Sequence, residues 1–123
     1  MIKTIILILL LTVAAISGDI SKALGTGNAK ALAVNFNESV DLTILDDEGV
    51  YSKIQAEQII KKFFSAHPIQ KYEVVHVGNA KDGSAFEIGK LFSNAKVYRT
   101  YYVLKGNGAQ QKIHQFRIED DNE

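Results

Sequence analysis

The stretch that decides the fold is SKIQAEQIIKKFFSAHP, residues 52–68. Ser52 followed by Gln55 is a capping-box pattern, which opens a helix by satisfying its first free amides. Ala56, Ile59, Ile60, Phe63 and Phe64 then recur at three- and four-residue spacings and make a wide apolar face. Lys53, Glu57, Lys61 and Lys62 are the polar side, with Glu57 and Lys61 a favourable pair one turn apart. Pro68 stops the helix by about His67, because it has no amide hydrogen and restricts its predecessor. A helix with one apolar face needs a surface to lie on, and everything after Pro68 reads as the sheet that supplies it.

Four strands follow. Tyr72 to Val77 is rich in β-branched and aromatic residues. Phe86 to Phe92 alternates Phe86, Ile88 and Phe92 against Glu87 and Ser93. Val97 to Leu104 has almost no polar face, and Ile113 to Ile118 comes last before an acidic tail, 119–123. Turns at 79–84, 93–96 and Gly106-Asn107-Gly108 are short, which implies antiparallel neighbours. Upstream, Asp19 to Leu24 reads as a short helix broken by Gly25-Thr26-Gly27. Asn28 is placed to cap a second helix, Ala29 to Phe36, with Leu32, Ala33 and Phe36 inward. Val40 to Leu45 alternates as a strand, Asp46 to Gly49 turns, and Val50-Tyr51 resumes an extended path. The order gives an α+β fold, with helices packed on one face of a strongly curved antiparallel sheet.

The first residues are of another kind. Lys3 is the only charge before Asp19, Ile5 to Leu11 is an unbroken apolar run, and Thr12 to Ser17 shifts to smaller residues. This is the pattern of a secretory signal peptide, and Ala15 with Ser17 fits small-x-small cleavage after Ser17, with a cut after Gly18 the near alternative. The run is shorter than the ~20 residues of a spanning helix, so the membrane is met only through the leader. The expected organisation is a signal peptide over 1–17 and a single domain over 18–123, exported to the periplasm or beyond the cell. Composition agrees with one small domain: the chain has 123 residues, 46% hydrophobic, with 14 basic and 14 acidic side chains and no cysteine. Loss of the leader removes Lys3 and no acid, which leaves a faintly acidic domain and speaks against nucleic-acid binding. The missing cysteine excludes disulfides, thiolate zinc sites and a cysteine nucleophile. An exported domain of this kind relies on its core alone, and its source reads as bacterial.

The element order resembles the nuclear transport factor 2-like, or cystatin-like, α+β cone. More closely, Gly27-Asn28-Ala29-Lys30-Ala31-Leu32, Val40-Asp41-Leu42-Thr43-Ile44 and Glu48-Gly49-Val50-Tyr51-Ser52-Lys53 resemble a family of exported Bacteroidetes proteins, domain of unknown function 4783. Gln55 to Ile59, Lys81-Asp82-Gly83-Ser84 and Phe116-Arg117-Ile118-Glu119 fit the same family. The resemblance covers the mature chain and implies a fold and an exported location. It carries no activity and no functional residues.

Residue chemistry points to binding more than to catalysis. His67, His76 and His114 show no metal-ligand spacing, and Asp46-Asp47-Glu48-Gly49 lacks the alternation of a calcium loop, so no metal or cofactor is expected. Gly25-Thr26-Gly27 is too short for a phosphate loop. Arg99 and Arg117, the only arginines, make a small anion patch if their strands pair, or else ion pairs with Glu73, Glu87 or Glu119. Tyr98 and Tyr102 share one face of their strand, while Arg99 and Tyr101 share the other. Both faces being apolar marks the strand as central. The helix covers one side, and the other is left to a partner, a ligand or the domain's own interior. The pocket or interface candidates are Tyr51, Phe63, Phe64, Tyr98, Arg99, Tyr101, Tyr102, His114 and Arg117.

Two functions follow. The first is a non-catalytic binding or protein-interaction domain that holds a small ligand in the cone or forms a homodimer through the sheet. The second is an isomerase- or dehydratase-like enzyme using a carboxylate and a tyrosine, as some relatives of the cone do. Asp41 points away from the face that Val40 and Leu42 bury, so no carboxylate is placed for catalysis by sequence alone. The two differ in whether a carboxylate and a tyrosine hydroxyl converge in a partly polar pocket.

Overall fold

The computed structural model describes residues 16–121, with the backbone alone for Ala109. Of the leader read at 1–17, only Ile16 and Ser17 are among them; the rest, with Asn122 and Glu123, lies outside the described residues.

Residues 16–25 are helical (α1). The helix runs through Gly25, and Gly27 ends it at φ 61°. Gly27 donates to the Leu24 carbonyl at 3.2 Å and Asn28 to the Ala23 carbonyl at 2.9 Å, the paired bonds of a Schellman stop. Asn28 caps α2 (Ala29–Ala33), its side chain accepting from the Ala31 amide at 3.0 Å. The helix is shorter than its pattern implied, because Phe36 opens a strand instead of closing a turn. Phe36 is still buried, now against Phe116 with ring centroids 6.0 Å apart.

β1 (Phe36–Ile44) and β2 (Asp47–Ser52) pair antiparallel around a two-residue loop at Leu45 and Asp46. The loop lies one position earlier than the acidic run predicts, since Leu45 takes the positive φ of 56° and Asp47 to Gly49 join the strand. Ser52 then opens α3 (Lys53–Ala66) with both capping-box bonds at 3.2 Å. Ala56, Ile60, Phe63 and Phe64 are its buried face.

The remaining strands are β3 (Lys71–Asn79), β4 (Ala85–Ser93), β5 (Lys96–Lys105) and β6 (Lys112–Asp120). One sheet runs β2-β1-β6-β5-β4-β3. Consecutive strands from β3 to β6 are antiparallel, as their short turns require. β1 and β6 are parallel, a pairing that turn lengths do not reveal because the strands are far apart in sequence. β6 shifts register between Ile113 and Gln115, so His114 is an extra residue. That bulge lets Ile113, Phe116 and Ile118 all reach the core, which also holds Ile20, Leu24, Leu32, Val40, Leu42, Ile60 and Leu91.

Alternation alone would turn Phe86, Ile88 and Phe92 of β4 toward the helices. The strand does the opposite. Glu87, Leu91 and Ser93 are buried on the helix side, and the aromatic set lies half-buried on the outer face. Ser93 tolerates burial by donating to the Pro68 carbonyl at 2.8 Å, which ties the sheet to the end of α3.

Phe116 packs at the centre of this arrangement with no exposure. Phe116→Ala is expected to cost about 3–5 kcal/mol, the range for emptying a buried aromatic site. Urea unfolding measured on both proteins checks this.

Candidate functional site

Three neighbouring strands place polar groups on the inner face at the margin of the core. Glu87 of β4 stands opposite Tyr102 of β5, and Gly89 stands opposite Thr100. Tyr72 of β3 starts opposite Leu91, one pair further along. Its ring leans across Gly89, where a Cβ would collide with the Tyr72 ring and hydroxyl. Only glycine leaves that path open. The Tyr72 hydroxyl thereby reaches Glu87 and donates to Oε2 at 2.6 Å.

Glu87 is 5% exposed, and among the described residues it forms no ion pair. Tyr102 is 1% exposed, and its hydroxyl lies beside Glu87 without forming a well-aligned hydrogen bond to it. The Thr100 hydroxyl is buried beside the Tyr72 hydroxyl, likewise without a well-aligned hydrogen bond. Burial first, then the Glu87 charge, pushes the Tyr102 hydroxyl far above the usual phenol range. Burial, then the bond to Glu87, does the same for Tyr72. Both phenols therefore keep their protons and act as donors. An unsatisfied buried hydroxyl costs ~1–3 kcal/mol, so the Tyr102 donor is a place where an incoming acceptor gains.

A cleft of about 290 Å³ opens over this cluster. Glu87 and Tyr102 give it polar groups, Val77, Ala85 and Leu104 give it apolar walls, and Ser17 of α1 closes one side.

The residues singled out by sequence do not form one site. Phe63 and Tyr98 fill the interior under α3, ring against ring with centroids 5.2 Å apart, and His67 stacks on Phe63 at 4.4 Å. Phe64 is buried at the edge of a surface hollow between α2 and α3, beside Gly27, Asn28, Glu57 and Lys61. Tyr51 lies near the far edge of the sheet, donating to Asp47 at 2.8 Å. Arg99, Tyr101 and Arg117 share the outer face in a shallow hollow with Ile88, Gln115 and Glu119. Arg117 is engaged by Glu119 at 3.7 Å and, with the Gln115 amide oxygen turned toward it, by Gln115 at 3.0 and 3.2 Å. Arg99 forms no ion pair among the described residues. His114 sits at the β6 bulge, where partial burial and then Lys105 lower its pKa. Glu87 does not serve either arginine, because it lies on the opposite face. Of the candidates, only Tyr102 belongs to the inner cluster. Glu87 and Tyr72 escaped notice as a site because their approach depends on the glycine between them and on the face that β4 presents. Among the described residues no group of three or more histidines, cysteines or acids is placed to hold a metal.

A curved, unclosed six-stranded sheet with helices on one side is the architecture of cystatin-like and nuclear transport factor 2-like proteins. Residues 17–119 match the family described as Domain of unknown function (DUF4783), and the chain belongs to it. A family protein of Bacteroides uniformis is similar at 29% identity, with 86% of this chain and 97% of that one covered and a TM-score of 0.78. One from Bacteroides ovatus matches at 28% identity over 85% and 94% of the two chains, TM-score 0.77. An NTF2-like protein of unknown function from Cytophaga hutchinsonii shares the fold at 16% identity, covering 84% of each chain, TM-score 0.57. No curated protein matches.

Gly89→Ala is expected to displace the Tyr72 ring and to destabilise the domain by about 1–3 kcal/mol, as overpacking does. Tyr72→Ala should relieve much of that loss, so the two changes combine to less than their sum in a double-mutant cycle read by urea unfolding.

Proposed function

We propose that this is an exported, non-catalytic binding domain that holds a small ligand in the cleft over Glu87 and Tyr102. The observation that carries the reading is the buried Tyr102 hydroxyl, held beside Glu87 without a well-formed hydrogen bond at the wall of a largely apolar cleft. The ligand it suits is small and mainly apolar, with one hydrogen-bond acceptor. Export rests on Lys3, the Ile5–Leu11 run and the Ala15–Ser17 exit; among the described residues no helix is long and apolar enough to cross a membrane.

The competing reading is an isomerase- or dehydratase-like enzyme. A carboxylate and a tyrosine do converge, in Glu87 and Tyr72. Their hydrogen bond joins them to each other, and the raised Tyr72 pKa makes it a poor acid, which favours binding over proton transfer. Native mass spectrometry of protein taken from its exporting host tests the reading. A bound small molecule is expected on the wild type and lost when Ala85→Trp fills the cleft. Loss of the molecule only after chemical conversion would favour the enzyme.

The outer face supports a second role, as the contact between two copies of the chain. Phe86, Ile88 and Tyr101 are half-buried there, and His76 and Phe86 lie ring to ring at 5.8 Å. No described element covers this face, and its charges are mixed, with Lys90 and Arg99 near Glu119 and Asp121. Sedimentation at high concentration is expected to show a dimer that Ile88→Lys converts to a folded monomer.

A further inference from the structure

Among the described residues the buried carboxylate of the cleft, Glu87, pairs with no cation, and the proposed leader cut falls at the cleft's rim. We infer that Glu87 is the receptor for the chain's own new amino terminus, so that removal of the leader supplies its counter-ion. The inference rests on the export reading and adds to it.

Glu87 accepts from the Tyr72 hydroxyl, has the Tyr102 hydroxyl beside it, and forms no ion pair among the described residues. A buried carboxylate in that position is costly unless a positive group reaches it. Ser17 lines the same cleft as Glu87, and Ile16 before it rests on the core. Cleavage between Ser17 and Gly18 takes one water. The amide C–N bond breaks, the leader leaves with the Ser17 carboxylate, and the Gly18 nitrogen becomes a protonated amine. That amine lies one helical residue from a side chain that already lines the cleft, a rise of about 1.5 Å. Gly18 is exposed, so no packing of its own holds its amine in the helical position.

Helix polarity sharpens the assignment. A positive charge at a helix amino terminus is opposed by the helix dipole. A carboxylate facing that end removes the conflict, and Glu87 is the acid that shares the cleft with Ser17. The titratable groups facing Glu87 are Tyr72 from β3 and Tyr102 from β5, both held protonated. Asp19, exposed on α1, is the acid next to the amine in sequence. The ion pair joins the start of α1 to β4, and it leaves the Tyr102 hydroxyl as the donor open to a ligand. Precursor and mature protein then differ in the cleft itself: the first has Ser17 as a wall, the second an ammonium–carboxylate pair.

Two measurements test this separately from export. The intact mass of the exported protein fixes where the chain begins. Full-length mass overturns the export reading, and a start beyond residue 19 overturns the inference. On protein beginning at Gly18, an NMR titration of the labelled Gly18 methylene reads the pKa of the amine. The expected result is an upward shift of about one unit from the ordinary 7.7–8.0, reversed by Glu87→Gln and retained in Asp19→Asn. An ordinary amine pKa in both the wild type and folded Glu87→Gln overturns the inference while leaving export intact. Should Glu87→Gln fail to fold, amino-terminal acetylation gives the same answer. It is expected to lower the melting temperature, and no change would overturn the pair.

Discussion

The sheet depends on one lateral contact, the parallel pairing of β1 with β6. Without it the chain would hold two separate pieces, a hairpin of β1 and β2 and a meander of β3 to β6. The seam is fastened at both ends: the Ile113 amide donates to Asn35 at 2.7 Å and the Leu45 amide to Ile118 at 2.8 Å. It also brings Val40, Leu42, Phe116 and Ile118 onto one continuous apolar surface for the helices to cover. Everything said about an inner face and an outer face presupposes that joint.

Most elements were legible because local chemistry dictates them. Ser52, Gln55 and Pro68 bracket α3, and the apolar spacing between them fixes its buried side. Gly27 and Asn28 mark the junction of the first two helices. What failed to show is what depends on distant partners. Phe36 looks like the end of a helix until Ile113 is available beside it as a strand neighbour. β4 looks as if Phe86, Ile88 and Phe92 should be inside, yet its register with β5 places Leu91, Gly89 and Glu87 there. The parallel seam has no local signature at all. The family resemblance supplied the fold, and it is borne out by the match over residues 17–119; it could not supply a site, since the family has none to transfer.

The inner cluster illustrates how a site forms from residues that look unremarkable singly. Glu87 seems a surface acid, Tyr72 a strand aromatic and Gly89 a weak point in a strand. Together they make a phenol lie over bare backbone and meet a carboxylate away from water. The orientation of β4 is the common cause of both proposed faces. It buries Glu87 on one side and exposes Phe86 and Ile88 on the other, so the small-ligand reading and the two-copy reading spring from a single choice of strand orientation.

The place of β6 has a consequence in time. β6, the last of the six strands in chain order, lies inside the sheet between β1 and β5. Contacts between ends of a chain are slow to form, because a long loop must close before they contribute. A chain delivered amino end first therefore holds its sheet open, with β1 and β5 both lacking a neighbour, until β6 arrives.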